Sequence, residues 1–328
     1  MCEYIGIDVG KENLDLCWLR DSNKDKIKTK TVNNKLELFD SIALWITKNT
    51  KTEPQDILIT LEATGVYHEG LVYFLHKLGF KILLSNPGKA KKFAQSLGLI
   101  HKTDKSDATM LAKYGFSQLG NIQLWQPEAE ELCELKSMCR RLSALEKDSR
   151  RENNRLEASK ISDTSKRVLK SLVDMIDVLE FEIKALRQDI DLHLDRYAEL
   201  KKNKQLLLSI KGIGPVMARE LVYLFAAKHF TSAKQVAAYA GLIPRLNESG
   251  SFKGRTTLSK SGPSRIRAKL FLAAVSASSF NPDIKAQYDR LRTAGKTKMQ
   301  ALGAAMRKLI QICFGVIKHQ TEYQPQVT

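Results

Sequence analysis

The sequence contains no Cys-x-x-Cys pair, and its five cysteines, Cys2, Cys17, Cys133, Cys139 and Cys313, are odd in number and scattered. That argues against a zinc ribbon and against a secreted disulfide framework, and leaves ordinary buried thiols of a reducing cytoplasm as the expectation. No apolar run reaches the roughly 18 residues a membrane helix needs. The opening Met1-Cys2-Glu3-Tyr4 has neither a basic n-region nor a signal core. No Gly-x-x-x-x-Gly-Lys-Ser/Thr loop is present, so no P-loop chemistry is expected. Acids are the scarce charge: 36 Asp and Glu stand against 53 Lys and Arg, a formal balance of +17. A chain this basic favours a polyanionic partner, nucleic acid first. At 43% hydrophobic residues it can bury a proper core, and 328 residues suggest about two domains.

Residues 4–20 read as two strands, with a third over Ile27–Val32. Leu36 to Ile46 has helical spacing, Ile57–Leu61 is a buried strand, Val66 to Leu78 a helix, and Lys81–Leu84 a further strand closed by Asn86-Pro87-Gly88. A strand meander followed by alternating strands and helices indicates a mixed α/β sheet. After Pro127 the composition shifts, and from Glu128 to about Lys201 there is neither proline nor glycine. Leu169, Leu172, Ile176, Leu179, Ile183, Leu186 and Ile190 alternate steps of three and four, a heptad seam that Leu132, Leu135, Cys139 and Leu142 repeat more briefly. Two long helices are expected, as a coiled-coil hairpin, a dimer arm or part of a bundle core. Beyond them Ile210-Lys211-Gly212-Ile213-Gly214-Pro215 resembles a helix-hairpin-helix turn, in which Gly212 and Gly214 would let backbone amides face a phosphate. A helix over about 233–240, a polar loop from Arg245 to Gly262, and helices near 263–279 and 297–318 complete the chain.

Four carboxylates are placed to converge. Asp8 ends the first strand, Glu62 follows a later one, and Asp104 and Asp107 lie three apart at a helix start, hence on one face. Hard oxygen ligands suit Mg²⁺ or Mn²⁺, and clustered negative charge becomes tolerable once cations neutralise it. Singly, a strand-end Asp is commonly a turn residue and a helix-start Asp an N-cap. Around the cluster, residues 81–113 carry seven lysines, among them Lys89, Lys91, Lys92, Lys102 and Lys105, and no acid besides Asp104 and Asp107. A stretch of one sign fits a phosphate-backbone track, although a lysine-rich surface is the plain alternative.

The second candidate is the loop Glu248-Ser249-Gly250-Ser251, followed by Ser259-Lys260-Ser261-Gly262. Arg245, Lys253, Arg255, Lys260, Arg265 and Arg267 surround it, against the single acid Glu248. A glycine-flanked serine can approach a phosphate closely, and neighbouring cations would stabilise charge developing on it. No histidine stands nearby to act as base, and such loops more often only contact phosphate.

Taken in order, Tyr4-Ile5-Gly6-Ile7-Asp8, Glu62-Ala63-Thr64-Gly65, Asn86-Pro87, Lys102-Thr103-Asp104-Lys105-Ser106-Asp107-Ala108, Ile213-Gly214, Ala240-Gly241-Leu242-Ile243-Pro244, Glu248-Ser249-Gly250 and Ser259-Lys260-Ser261-Gly262 span nearly the whole chain. In this the sequence resembles the DEDD transposases of insertion sequences, the bridge-RNA-guided serine recombinases. The resemblance implies a RuvC-like, RNase H-type domain over 1–125, coiled-coil dimerisation helices over 126–202 and a mainly helical transposase domain over 203–328. It implies Asp8, Glu62, Asp104 and Asp107 as the Mg²⁺ or Mn²⁺ ligands, and Ser249 as a nucleophile that joins DNA through a phosphoserine link. Its partners would be donor and target DNA and a structured guide RNA. Dimers would pair into tetramers, so that the carboxylates of one protomer meet the serine of another. The setting is a prokaryotic cytoplasm, at the nucleoid when active, with no membrane.

Three other readings compete. A RuvC-like nuclease or junction resolvase needs the carboxylates but not Ser249. An actin-like sugar kinase also opens on Ile5-Gly6-Ile7-Asp8-Val9-Gly10, but Lys11-Glu12-Asn13 follows where small hydroxyl residues would cradle phosphates. A nucleic-acid scaffold would use the helices and basic loops alone.

Overall fold

The computed structural model describes residues 2–21, 26–63, 65–98, 104–118, 124–162, 164–245, 248–249, 252–254 and 256–326, with the side chains of Asp104, Glu248, Phe252 and Lys253 excepted. The chain divides into two compact units, Met1–Pro127 and Glu128–Thr328.

In the first unit, alternating apolar residues build β1 (Glu3–Val9), β2 (Asn13–Asp21) and β3 (Lys26–Asn33), followed by α1 (Phe39–Thr50), β4 (Ile57–Glu62), α2 (Glu69–Lys77), β5 (Lys81–Ser85), α3 (Pro87–Ser96) and α4 (Asp104–Ser117). The sheet order is β3-β2-β1-β4-β5. β1 pairs antiparallel with β2 and parallel with β4, β2 antiparallel with β3, and β4 parallel with β5. β2 thus runs against the other four strands, the mixed sheet that the RNase H-like expectation requires. Side chains alternate across the pleat. Ile5, Ile7, Leu14, Leu16, Ile57, Ile59, Leu61 and Ile82 enter one core with Phe39, Ile42 and Ile46 of α1 and Leu71 and Leu75 of α2. Tyr4, Leu58 and Leu83 face the other way, onto Ala90 of α3 and Met110, Leu111 and Tyr114 of α4.

α4 lies directly on the sheet because small residues meet where it crosses. A Cβ added to Gly6 would fall 2.0 Å from the Ala108 carbonyl oxygen and 2.4 Å from the Ala112 nitrogen. One added to Gly115 would fall 2.2 Å from Thr60 Oγ1. Thr109 Oγ1, 3.4 Å from Cys17 Sγ, ties the same helix to β2.

The second unit begins with α5 (Glu130–Ile161) and α6 (Lys166–Arg196), the two long helices expected from the stretch without proline or glycine. α6 buries Ile176, Ile183 and Ile190, one every seventh residue, and α5 buries Leu135, Cys139, Leu142 and Leu145. The partner of the seam is therefore the preceding helix of the same chain. Arg187 donates to Glu146 at 2.9 Å, and His193 Nε2 lies 2.8 Å from the Glu131 carbonyl oxygen, which fixes the antiparallel register. Cys139 sits in this interface, its thiol pKa pushed up to about 11 by burial and by Glu220 nearby. Burial likewise raises the Cys17 and Cys313 thiols, which makes all three poor nucleophiles.

Next come α7 (Ala198–Leu208), α8 (Pro215–Ala227), α9 (Ala233–Tyr239), α10 (Ser264–Phe280), α11 (Pro282–Thr293) and α12 (Lys298–His319). α12 is the one helix among the described residues that is long and apolar enough to cross a membrane. Its Ala301, Ala305, Leu309, Ile310 and Cys313 are buried in the helical core, so a core role accounts for its composition. α11 follows α10 after the single residue Asn281, whose side chain caps the new helix by accepting from Ile284 N at 3.2 Å. The region 245–262 is not a plain loop. Strands β6 (Pro244–Arg245) and β9 (Thr257–Leu258) pair at its base, and β7 (Glu248–Ser249) and β8 (Phe252–Lys253) pair further out.

Candidate carboxylate site and serine loop

The sheet register brings acidic and hydroxyl residues into one row on the α4 face. Asp8 on β1 stands opposite Asp15 on β2, and Asp15 opposite Thr31 on β3. The pairs Gly6–Thr60 and Ile7–Leu61 carry Asp8 and Glu62 to the same level on adjacent strands, and Glu62 is level with Ser85 on β5. The row thus reads Thr31, Asp15, Asp8, Glu62, Ser85. One row below it, Gly6 and Thr60 lie under α4. Asp107 immediately precedes Ala108, the residue seated over Gly6, and Asp8 is two residues along β1 from the same crossing. Asp107 is half-buried and Lys105 exposed. Asp104 begins α4, but its side chain lies outside the described residues.

Asp15 was not singled out from sequence. It is 9% exposed and accepts a hydrogen bond from Thr31 Oγ1 at 2.5 Å. Its signal was its place inside an alternating strand: Leu14 and Leu16 fill one core, which leaves Asp15 on the same face as Asp8. Ser85, 2% exposed, has an Oγ that meets no hydrogen-bond partner among the described residues. The donors on this edge are carboxylate and hydroxyl oxygens, the ligand chemistry of Mg²⁺ and Mn²⁺. Among the described residues, which include Asp8, Glu62 and Asp107 but not the Asp104 side chain, no three His, Cys, Asp or Glu side chains are grouped closely enough to hold a metal ion, so the register aligns these carboxylates without closing them into a metal-holding group.

The lysine candidates fall beside this row. α3 begins at Asn86, whose Oδ1 accepts from Gly88 N at 2.9 Å and Lys89 N at 3.4 Å. Ala90 faces the core, so Lys89, Lys91 and Lys92 point to solvent. Lys102 lies outside the described residues.

In the second unit, the motifs around residues 241 and 261 fold onto each other. Gly241 (φ 70°) and Gly262 (φ 123°) are both in the left-handed region, and a Cβ on Gly262 would fall 2.0 Å from the Tyr239 carbonyl oxygen. Lys260 N donates to the Gly241 carbonyl at 3.1 Å, and Arg267 Nη1 donates to the Gly262 carbonyl at 2.9 Å and the Ala240 carbonyl at 3.3 Å. Together they fasten the base of the β excursion. Ser249 lies on β7 and is exposed, with its backbone paired to Phe252. Gly250, Ser251 and Arg255 lie outside the described residues.

The cations of this region divide in two. Arg245 and Lys260 are exposed, and Lys253 lies on β8. Arg265 and Arg267 are half-buried and committed to the protein: Arg265 pairs with Glu220 at 2.7 Å and donates to the Cys139 carbonyl at 3.1 Å. The turn before α8 is also a packing device. Gly212 has φ 101°, a Cβ there would fall 2.6 Å from Ala277 Cβ, and Asn281 Nδ2 donates to the Lys211 carbonyl at 3.1 Å. Gly214 is the N-cap of α8, with open space where its Cβ would be.

Two family models match the chain. One, a transposase model of DEDD type for IS110, covers residues 5–159, and the other, described as transposase of the IS116/IS110/IS902 family, covers residues 204–289. The pilin gene-inverting proteins of Moraxella lacunata and Moraxella bovis are each 32% identical to this chain, over 99% of it and 98% of their own length. The insertion element IS110 uncharacterized 43.6 kDa protein of Streptomyces coelicolor is 27% identical, over 43% of this chain and 35% of the relative. Among solved structures, T. thermophilus RuvC in complex with a Holliday junction substrate aligns with 38% of this chain and 100% of its own, at 13% identity and a TM-score of 0.29. This chain belongs to the IS116/IS110/IS902 family of transposases.

Proposed function

We propose that the protein is a metal-dependent DNA recombinase that cuts and rejoins donor and target DNA through a covalent link to Ser249, directed by a structured guide RNA. The observation that carries this reading is the level placement of Asp8 and Glu62 on adjacent strand ends, with Asp107 at the helix crossing beside them. Asp8, Glu62, Asp104 and Asp107 are the residues that would hold Mg²⁺ or Mn²⁺, and bound ions would polarise the scissile phosphate. The exposed Ser249 hydroxyl attacks phosphorus, the bond to the 3′ oxygen of the neighbouring nucleotide breaks, and that oxygen takes up a proton as the serine loses its own. Arg245, Lys253 and Lys260 offset the charge that gathers on the phosphate oxygens. A 3′ hydroxyl from another strand then attacks the phosphoserine, restores a phosphodiester and returns the proton to serine. The bond count is unchanged, so no ATP is required.

Rejoining rather than hydrolysis is favoured by the full-length relatives, which are named for inverting a gene: inversion requires that every cut end be resealed. α6 leaves Met175, Val178 and Phe181 at 50%, 58% and 70% exposure, which supports the role of this helix pair as an assembly arm for a dimer that pairs into a tetramer.

The test is a product analysis. The protein, expressed from its element so that flanking RNA is present, is incubated with donor and target duplexes and Mg²⁺, and the products are sequenced. Recombination predicts new junctions without loss of nucleotides. Free ends with no new junction in any condition would establish a hydrolase instead.

A further inference from the structure

The helical unit carries a charged surface that the serine loop and the carboxylates do not use. Along α5, Arg140, Ser143, Lys147, Asp148 and Arg151 line an open groove of about 510 Å³, completed by Arg265 from α10. Arg140, Lys147 and Arg151 face one carboxylate there, and Asp148 is spent on Arg151 at 2.9 Å. Among the described residues, Arg140 and Lys147 have no carboxylate at ion-pair distance, and both are exposed. The opposite side of the same helices is balanced. Glu220, 5% exposed, takes Arg265 and Lys269 at 2.7 Å each, and Glu146 takes Arg187 at 2.9 Å. Arg265 closes one end of the groove but is paired with Glu220 and the Cys139 carbonyl, so the charge the groove offers is that of Arg140 and Lys147.

We infer that this groove holds the sugar-phosphate backbone of duplex DNA flanking the phosphate that Ser249 attacks. This rests on the recombinase reading above. Three features select the occupant. From Arg140 to Arg151 the helix rises about 16 Å at 1.5 Å per residue, enough to follow four or five phosphates of one strand at roughly 3.4 Å each. Among the described residues no aromatic ring lines the groove, which offers none of the stacking platform on which single strands depend. Its fixed end, Arg265, is the second residue of α10, two residues beyond the Pro263 that closes the serine loop, so the nearest polyanion is the DNA held at that loop. Unpaired cations on a rigid helix neutralise phosphates without reading sequence.

The test compares the full-length protein with Arg140→Glu/Lys147→Glu, binding a short duplex DNA, duplex RNA of the same sequence and oligo(dT) across a salt series. Both side chains are exposed, so the variant should melt like the parent, and a melting curve checks this. Duplex DNA binding is expected to weaken at least tenfold, with a log–log salt slope shallower by about 2, near one unit per lost phosphate contact. The milder Arg140→Gln/Lys147→Gln should lie between the two. Unchanged duplex affinity and slope would overturn the groove, and a loss confined to RNA or oligo(dT) would overturn the choice of duplex DNA. Failure of the recombinase reading is a separate result: the parent itself would then give no new junctions in the product analysis, whatever the groove variant does.

Discussion

Asp8→Asn is expected to leave the fold and DNA binding intact while strand cleavage falls by about a thousandfold or more, the equivalent of roughly 4 kcal/mol of transition-state stabilisation. Asparagine keeps the shape of the side chain and its place in the row but loses the charge that a divalent cation needs. The row explains why the effect should be selective. Asp8 lies between Asp15 and Glu62 in the strand register, so the substitution removes one charge from the row and leaves the packing around it in place. Its stabilisation by added Mg²⁺ should therefore shrink relative to the parent. Single-turnover cleavage with calorimetry in both buffers reads both quantities. Cleavage within tenfold of the parent would remove Asp8 from the metal site.

The second large effect is expected at Gly6. Its Cβ would lie 2.0 Å from a backbone oxygen and 2.4 Å from a backbone nitrogen of α4, and backbone within a helix cannot rotate aside. Gly6→Ala must lift α4 off β1, which opens the core between them at an expected cost of at least about 3 kcal/mol. Because Asp107 sits one residue from this contact, the shift should abolish cleavage as well. Gly115→Ala is the internal control. Its Cβ would meet the Thr60 hydroxyl, a side-chain atom with no hydrogen-bond partner among the described residues that can swing away, so a smaller loss of about 1 kcal/mol is expected. Denaturant unfolding of both variants gives the comparison, and a Gly6→Ala protein as stable as Gly115→Ala would contradict the close seating of α4.

Much of the first unit was legible because its signals are local. β1 to β5 announce themselves by alternation and short apolar runs, and Asp8 and Glu62 fall at strand ends where turn residues begin. Asp15 was hidden because a single acid within an apolar strand reveals its face only once the pairing register is known. In the second unit the long helices followed from the absence of proline and glycine, but the heptad pattern left the partner open, and it is α5 of the same chain. The stretch 245–262 reads as polar loop because its ladders are two residues long, too short for any alternation to register. α11 escaped notice because Asn281-Pro282 reads as an interruption, whereas Asn281 caps one helix as it ends another. Glycine and arginine were the least legible residue types. Gly212 is required where chain segments touch, and Arg265 and Arg267 spend their donors on the protein, yet the sequence signature of each is that of a phosphate-binding loop.

The central claim, that a serine carries the DNA, is tested most directly by looking for the covalent adduct. Labelled element-junction DNA and Mg²⁺ are added to the protein expressed with its flanking RNA, and the mixture is resolved on a denaturing gel beside Ser249→Ala and Asp8→Asn. The account predicts labelled protein for the parent and none for either variant, with the adduct mapping by mass spectrometry to the peptide that contains Ser249. Cleavage that proceeds without an adduct and survives Ser249→Ala would contradict it.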